Sequence, residues 1–317
     1  MAAFLYTAVK GVNSPNVTFV AEILTSKRRA ATKKGQGQVD IDRAFLRLDE
    51  GLVHYRTCGA QRADGPRPLY MIHASPASAI TLEPMMRQLA TSRFCVAPDT
   101  LGNGDSAAPA LDAPDMDYYA DSVARVLDKL DLDKVDVYGS HTGAHIACEL
   151  AIRHPQRVRK VVFDGIAMFS AEDKADVLKN YAPEMKPDEF GTQFIWAWHF
   201  IRDQAIHFPY FRRVPEFRRN QPMPSAQSLH TIVVDVLKAL TTYHKGYRAA
   251  FRHADKDRIP LMPCPVFCMA SEDDPLKDGV ELAHAAARQG IKAVLPSERT
   301  PTGLAAKADA VRRFLDA

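Results

Sequence analysis

Strands and helices alternate along most of the chain, and this alternation restricts the possible folds more than any other feature. Short apolar segments such as PLYMIHA (68–74) and VDVYG (135–139) have the character of buried strands, and a segment with helical spacing of apolar residues follows each. Helices that connect parallel strands cover both faces of the sheet. The sequence therefore predicts an α/β fold with a mostly parallel sheet, which begins near residue 44 with a hairpin around Gly51.

The alternation is interrupted between about residues 167 and 258. This stretch is rich in aromatic residues, arginine and aspartate, and its most apolar part, residues 194–213, has the character of a helix. The alternation then resumes with the strand CPVFCMA. We therefore expect residues 41–166 and 259–317 to form the core, and residues 167–258 to form a helical cap, or lid, over it.

Composition and charge exclude several classes of protein. The 317 residues carry a formal net charge of +3, which does not indicate binding to nucleic acid or to an anionic membrane. No apolar run reaches the roughly 18–20 residues that a membrane span requires. The five cysteines form no paired framework, which indicates buried thiols in a reducing compartment. We predict a cytoplasmic protein that acts on a small molecule, and whether it forms a homodimer is left open.

Residues 1–40 differ in character from the rest of the chain. They include the stretch KRRAATKKGQGQ (27–38), which is basic, contains glycine and glutamine, and is not expected to pack against a core. We expect these residues to be a flexible N-terminal extension, a solvated tail or an overlong start rather than an arm that binds nucleic acid.

Four short motifs follow predicted strands. They are HASPAS (73–78), DTLGNGDS (99–106), GSHTG (139–143) and SEDDPL (271–276). Together they resemble the α/β-hydrolase superfamily, whose corresponding segments are an oxyanion-hole segment, an Asp-x-x-Gly-x-Gly-x-Ser loop, the nucleophile elbow and the loop that bears the catalytic acid. The resemblance extends from about residue 44 to the C-terminus. It implies an α/β-hydrolase fold with an eight-stranded, mostly parallel sheet and helices on both faces.

The residue at the tip of the elbow can be identified from the small residues around it. The central residue of such a turn is strained, and the positions two before and two after it must be small so that strand and helix can approach. With His141 at the centre, these positions are Gly139 and Gly143. With Ser140 at the centre they would be a tyrosine and a threonine. We therefore predict that His141 occupies the position of the family's nucleophilic serine.

A second departure from the family lies near the C-terminus. The superfamily keeps its catalytic histidine in the loop after the last strand, and here that loop is SERTPTG (297–303). The last histidine of the chain is His284, which lies inside a predicted helix. The usual serine, histidine and acid therefore cannot be transferred residue by residue onto this sequence.

The two departures together suggest a shorter catalytic arrangement. In the superfamily's triad an imidazole lies between the serine and the acid. We hypothesise that His141 carries its own imidazole into that gap and hydrogen-bonds to Asp274, which matches the family's acid and would make the histidine a better base. The resemblance implies that the amides of Ser75 and Thr142 serve as oxyanion-hole donors.

Three functions follow from this hypothesis. The resemblance implies a hydrolase that acts on a small ester or carbonyl compound without a metal or an organic cofactor. The missing serine makes a lyase, a decarboxylase or an isomerase that uses His141 as a general base a competing interpretation. The third is an inactive pseudohydrolase that only binds a ligand. In an active enzyme His141 should be reachable from solvent, whereas in an inactive protein its side chain can be buried under other residues.

Other polar residues are candidates for substrate binding or for structural roles. Asp99 is expected to tie down backbone amides of its glycine-containing loop. Asp164, at the end of the sixth strand, ranks below Asp274 as an alternative acid. His73 either braces its loop or contacts substrate, and the arginines and aromatics of the cap either pack or bind a substrate carboxylate or carbonyl. The candidate substrate-binding residues are His73, Trp198, His199, Arg202 and Arg299.

Overall fold

A computed structural model describes residues 39–62 and 64–317. The expectation of a flexible extension concerns residues 1–40, and of these, residues 1–38 lie outside the described residues. The described chain forms a single sheet of eight strands. The strands are β1 (Asp42–Leu48), β2 (Gly51–Cys58), β3 (Leu69–Ile72), β4 (Cys95–Pro98), β5 (Val135–Ser140), β6 (Val158–Asp164), β7 (Val266–Ser271) and β8 (Gly290–Leu295).

The strands lie across the sheet in the order β1-β2-β4-β3-β5-β6-β7-β8. β1 and β2 form an antiparallel hairpin that pairs Leu48 with Gly51, and β2 is also antiparallel to β4. The other neighbouring pairs are parallel. The predicted α/β fold with a mostly parallel sheet is therefore confirmed, and so is the hairpin around Gly51.

Helices follow most of the strands, as the alternation predicts. In the described chain they are α1 (Glu83–Leu89), α2 (Met116–Lys129), α3 (Thr142–Arg153), α4 (Ala171–Asn180), α5 (Thr192–Ile206), α6 (Ala226–Lys238), α7 (Tyr243–Arg252), α8 (Asp255–Arg258), α9 (Gly279–Ala286) and α10 (Pro301–Asp316). No helix among the described residues is long and apolar enough to cross a membrane.

Apolar side chains cover both faces of the sheet. Successive residues of a strand point to opposite faces, so Val137 and Tyr138 of β5 belong to different apolar clusters. The cluster that contains Val137 includes residues of α2 and α3, and the one that contains Tyr138 includes residues of α1 and α10. Full burial of a large apolar side chain stabilises the fold by about 1.5–3 kcal/mol. The two helical layers therefore hold the carboxyl ends of the parallel strands in fixed positions.

Helices α4 to α8 lie between β6 and β7, and we call them the inserted segment (residues 171–258). They have an apolar cluster of their own that is rich in aromatic rings. The ring of Tyr243 on α7 lies 5.5 Å from that of Phe200 on α5, in an edge-to-face arrangement. This cluster joins α4, α5, α6 and α7 into one layer. That this layer acts as a lid stays a prediction.

One helix ends earlier than its sequence pattern suggests. The segment GVELAHAAARQG predicts a helix up to Gly290, but α9 ends at Ala286. Gly290 instead begins β8, where it pairs with Val266 of β7. The three residues between α9 and β8 must reach the sheet edge, which a continued helix would not allow.

Asp99 ties down the loop that follows β4, and this prediction is confirmed. Its Oδ1 accepts a hydrogen bond from the amide of Ala79 at 2.9 Å, and its Oδ2 accepts one from the amide of Asp105 at 3.0 Å. The same Oδ2 lies 2.9 Å from His54 Nδ1. A Cβ atom on Gly104 would lie 2.2 Å from this oxygen, so the loop needs a glycine there. The carboxylate therefore has a structural role.

Candidate active site

The elbow between β5 and α3 has His141 at its tip. β5 ends at Ser140, α3 begins at Thr142, and His141 between them has φ 49° and ψ −108°. A positive φ is strained for any residue except glycine, and such strain persists only where the surrounding structure enforces it. The imidazole is thereby lifted from the end of the strand, as the predicted register requires.

The two glycines of the motif explain why the elbow tolerates no other register. A Cβ atom on Gly139 would lie 2.3 Å from the carbonyl oxygen of Gly143. A Cβ atom on Gly143 would lie 2.3 Å from the carbonyl oxygen of Ile72, in the neighbouring strand β3. Side chains at these positions would collide with backbone that cannot move independently. His141 therefore lies at the centre of the elbow, between the two glycines, as predicted.

His141 and Asp274 are joined by a hydrogen bond. The Nε2 atom of His141 lies 2.8 Å from Oδ2 of Asp274, which follows β7. The other oxygen of Asp274 accepts a hydrogen bond from the amide of Leu276 at 2.7 Å, which fixes the carboxylate. The imidazole side chain is 31% exposed and the carboxylate side chain 12%. The predicted contact is thus present, and His141 remains reachable from solvent.

This pairing shifts the pKa of both groups. Desolvation alone would lower the pKa of His141, but the charge and hydrogen bond of Asp274 outweigh it and raise that pKa above its ordinary value. Desolvation likewise favours the neutral form of Asp274, yet His141 brings the pKa of Asp274 below its ordinary value. The pair of imidazolium and carboxylate is therefore favoured over a range of pH. This range extends from below the ordinary pKa of a carboxyl group to above the ordinary pKa of an imidazole.

Gly165 makes room for the imidazole. It follows β6 with φ +70°, and a Cβ atom on it would lie 2.6 Å from Cδ2 of His141 and 3.2 Å from Oδ2 of Asp274. Sequence reasoning did not single out this glycine. The available signal was its position directly after Asp164, at the carboxyl end of a strand that neighbours the elbow.

The predicted oxyanion-hole residues lie beside the elbow. The amide of Ser75 donates a long hydrogen bond of 3.4 Å to Oγ1 of Thr142. Thr142 is the first residue of α3, so its own amide has no acceptor within the helix. Gly246 of α7 packs over this corner, where a Cβ atom would lie 2.9 Å from Oγ of Ser75. The inserted segment therefore covers the edge of the site, and the oxyanion role of the two amides stays a prediction.

A buried lysine and a glutamate occupy the region where the superfamily has its catalytic histidine. Lys307 of α10 forms ion pairs with Glu298, in the histidine-free loop, and with Asp164, whose Oδ2 lies 2.7 Å from its Nζ. Asp164 also accepts a hydrogen bond from the hydroxyl of Tyr138, and its backbone oxygen accepts one from the amide of His141 at 3.1 Å. Lys307 and Tyr138 both contact Oδ2 of Asp164, which argues against its role as the alternative acid, although its Oδ1 is buried without a hydrogen-bond partner among the described residues. Sequence reasoning missed Lys307 because it lies in the middle of a helix.

His73 has the position of a brace. It is 1% exposed, its Nε2 accepts a hydrogen bond from the amide of Thr100 at 2.9 Å, and its Nδ1 lies 3.0 Å from the carbonyl oxygen of Ala74. Both ring nitrogens are thus occupied by backbone groups. This position fits the brace interpretation of His73 and argues against its candidate role in substrate binding.

The candidates on α5 do not converge on the elbow. Trp198 and His199 are exposed. Arg202 forms an ion pair with its neighbour Asp203, at 2.6 Å from Nη2 to Oδ1, and Arg213 lies 2.9 Å from the other oxygen of that carboxylate. The charge of Arg202 is therefore already compensated, which makes it a poor anchor for a substrate carboxylate.

Two other arginines lie beside the loop that bears Asp274. Arg299 has Nε 3.4 Å from Oδ2 of Asp273, and Arg219 donates from Nη2 to the carbonyl oxygen of Asp273 at 2.8 Å. Burial and the nearby charge of Arg299 lower the pKa of Arg219. Arg219 was missed from the sequence, since the long segment before it separates it from every recognised motif. Arg219 and Arg299 thus both lie next to the loop of the candidate acid, and of the two only Arg299 is paired with the side chain of Asp273.

The elbow, the acid after β7 and the eight-stranded sheet agree with a family comparison. The family model for the α/β-hydrolase fold matches residues 67–278, which is more than half of the chain. The chain belongs to the α/β-hydrolase family. The match spans the elbow and Asp274, and it ends before the loop at residues 297–303.

Curated relatives of this chain are hydrolases and dehalogenases. It is 39% identical over 121 residues to a 2-hydroxymuconate semialdehyde hydrolase of a Pseudomonas species, which covers 37% of this chain and 43% of that protein. It is 34% identical over 103 residues to a haloalkane dehalogenase of Mesorhizobium japonicum, with 32% of each chain covered. The chain thus matches less than half the length of these relatives.

Solved structures support the same fold over most of the chain. A hydrolase from Pseudomonas aeruginosa superposes with a TM-score of 0.65 at 18% identity, over 87% of this chain and 99% of that one. An enol-lactonase from Burkholderia xenovorans gives a TM-score of 0.64 at 16% identity, over 86% of this chain and all (100%) of the other. Identities this low establish the fold and leave the reaction open.

Replacement of Gly165 by alanine should break the pairing of His141 with Asp274. The new methyl group would overlap the imidazole, so the ring must move and its pKa should fall toward or below its ordinary value of about 6.5. NMR titration of the His141 ring protons measures this pKa in both proteins.

Gly191→Ala is the matched control for this variant. Gly191 has almost the same backbone angle, φ +71°, but the nearest atom to a Cβ there is Cδ2 of Phe194 at 3.3 Å. Both variants carry the cost of a positive φ, roughly 1–2 kcal/mol, and only Gly165→Ala should change the pKa of His141. An unchanged pKa in a folded Gly165→Ala protein would contradict the geometry of the pair.

Proposed function

We propose that the protein is an α/β-hydrolase-fold enzyme that cleaves a small ester or carbonyl compound with His141 and Asp274 in place of the usual triad. The hydrogen bond between these two residues carries the proposal. It gives a strained, solvent-reachable imidazole a fixed orientation at the position where the family carries its nucleophile. The hydrolase names of the curated relatives agree with this reaction class.

Asp274 determines which nitrogen of His141 can act as the general base. When the carboxylate accepts from Nε2–H, the lone pair of the neutral ring is on Nδ1. Nδ1 would then take a proton from a water molecule that attacks the substrate carbonyl. The negative charge that develops on the carbonyl oxygen would be stabilised by the amides of Ser75 and Thr142.

The positive charge of Arg219 favours a substrate that carries a carboxylate. Arg219 is partly desolvated, which strengthens a charge-assisted hydrogen bond to an anion. The names of two relatives, 2-hydroxymuconate semialdehyde hydrolase and 2-hydroxy-6-oxo-2,4-heptadienoate hydrolase, describe substrates that combine a carboxylate with a carbonyl group. We therefore propose a small oxo-carboxylate as the substrate, with its carboxylate near Arg219.

A general base at the elbow also suits proton abstraction from carbon. The raised pKa of His141 makes its neutral form a stronger base than an ordinary imidazole. A lyase, decarboxylase or isomerase reaction therefore stays the second candidate, in which the oxyanion hole would stabilise an enolate. The inactive pseudohydrolase is the least favoured alternative. In an inactive protein nothing would require the ring of His141 to be exposed and hydrogen-bonded to Asp274.

Replacement of His141 by alanine should abolish most turnover, while Ser140→Ala should leave it unchanged. Loss of a general base costs about 10²–10⁴-fold in kcat, whereas Ser140 has no part in the proposed reaction. Steady-state kinetics on p-nitrophenyl esters and on a 2-hydroxy-6-oxo-dienoate would measure both effects. A fluorophosphonate probe should not label the wild-type protein, and strong labelling at Ser140 with loss of activity in Ser140→Ala would refute the assignment.

Replacement of Arg219 by alanine should raise KM for a carboxylate-bearing substrate by about 10- to 100-fold, which corresponds to the loss of a charged hydrogen bond. The effect should be small on a neutral ester, since that substrate has no carboxylate to lose. Arg202→Ala is the matched control, because Arg202 is paired with Asp203. Equal effects of Arg219→Ala on the charged and neutral substrates would show that Arg219 is not the anchor.

A further inference from the structure

A second cluster of polar side chains is buried between the elbow helix and the inserted segment. His145 comes from α3, His253 follows the last residue of α7 as its C-cap, and Asp255 begins α8. Their exposed fractions are 0%, 8% and 2%. His145 lies one helical turn after His141, but its ring belongs to this separate cluster. The proposed catalytic reaction does not use any of the three residues.

Three donor atoms of this cluster converge on one point. The Nδ1 atoms of His145 and His253 lie 3.3 Å apart, and Oδ1 of Asp255 lies 2.6 Å from the first and 2.7 Å from the second. Two histidines and one carboxylate are a common ligand set of zinc and of other first-row divalent metals. With Zn–N bonds of about 2.0–2.1 Å, a tetrahedral site has edges of roughly 3.3 Å, which the separation of the two nitrogens matches.

Hydrogen bonds inside the protein leave this cluster incompletely satisfied. Nε2 of His145 and Oδ2 of Asp255 are buried and have no hydrogen-bond partner among the described residues. The nearest described cation to the carboxylate oxygen is Lys174, whose Nζ is 3.6 Å away. A buried polar atom without a partner costs about 1–3 kcal/mol. Of these two atoms only Oδ2 of Asp255 can turn toward the point where the ligand atoms converge, since Nε2 of His145 lies on the far side of its ring from Nδ1. Oδ2 has no hydrogen bond and only this long ion pair, so it is available as a fourth ligand atom.

The surroundings of His253 match those of a metal-bound histidine. Its second nitrogen, Nε2, lies 2.7 Å from Oε1 of Glu149 on α3. Arg258 in turn holds Glu149 through two hydrogen bonds of 2.7 and 2.6 Å. A carboxylate on the far nitrogen fixes the ring and directs the lone pair of the near nitrogen toward a metal.

We propose that His145, His253 and Asp255 form a structural binding site for a divalent transition metal ion, with zinc as the best fit to the ligand set. The carboxylate oxygen would shift outward by about half an ångström from its present hydrogen-bonding distance to reach metal-ligand geometry. The ion would replace the protons shared between the three ligand atoms. Because the site is closed to solvent, it would join α3 to α7 and α8 and contribute stability rather than catalysis.

The metal content of the full-length protein tests this site directly. The protein is purified without chelator and analysed by inductively coupled plasma mass spectrometry, then stripped with a chelator and titrated with Zn²⁺ by calorimetry. About one tightly bound zinc per chain is expected, together with a higher Tm of the loaded protein, since a ligand that binds only the folded state stabilises it. Zinc at background level, with neither heat of binding nor a Tm shift in the stripped protein, would overturn the proposal.

Two variants assign the binding to this cluster. His145→Gln removes one ligand and should abolish stoichiometric zinc, whereas Glu149→Gln keeps all three ligands and should weaken zinc binding about 10- to 100-fold. His154→Gln is the control, since His154 ends the same helix and bonds at the surface to Asp121. Unchanged zinc affinity in a folded His145→Gln or Glu149→Gln protein would place the metal elsewhere and refute the site.

Discussion

The close crossing of strand β5 and helix α3 is the constraint on which the candidate site depends. Gly139 and Gly143 touch backbone directly, and no side chain fits between them. The turn between the two elements must therefore be sharp, and the residue at its tip must accept a positive φ. His141 bears this strain, which the packed strand and helix on either side maintain. The same strain fixes the imidazole at the carboxyl end of the sheet, where Asp274 can reach it.

The fold and the centre of the site could be predicted from the sequence because their signals are local. Strand and helix periodicity, the two glycines of the elbow and the motif around Asp274 each occupy a few consecutive residues. Gly165, Lys307 and Arg219 could not be found in this way. Each contacts a neighbour that is distant in sequence, and only the packing of separate elements brings them to this end of the sheet.

A buried lysine organises the charges behind the elbow. Lys307 lies between Glu298, in the histidine-free loop after β8, and Asp164. Burial raises the pKa of Asp164, and the ion pair with Lys307 opposes this effect. Lys307 thereby pairs with the carboxylate at the end of β6, the strand next to β7 and the loop that bears Asp274. As a result, Asp274 is the acid that remains available to His141.

The pH dependence of kcat/KM for the wild type and for Asp274→Asn tests the central claim, the pairing of His141 with Asp274. Only the neutral imidazole can accept a proton, so activity should rise with pH through a pKa above the ordinary value of about 6.5. In Asp274→Asn the attraction to the carboxylate is gone and desolvation remains. The midpoint should therefore move to lower pH, and the maximal rate should fall. A midpoint that is the same in both proteins would contradict the account.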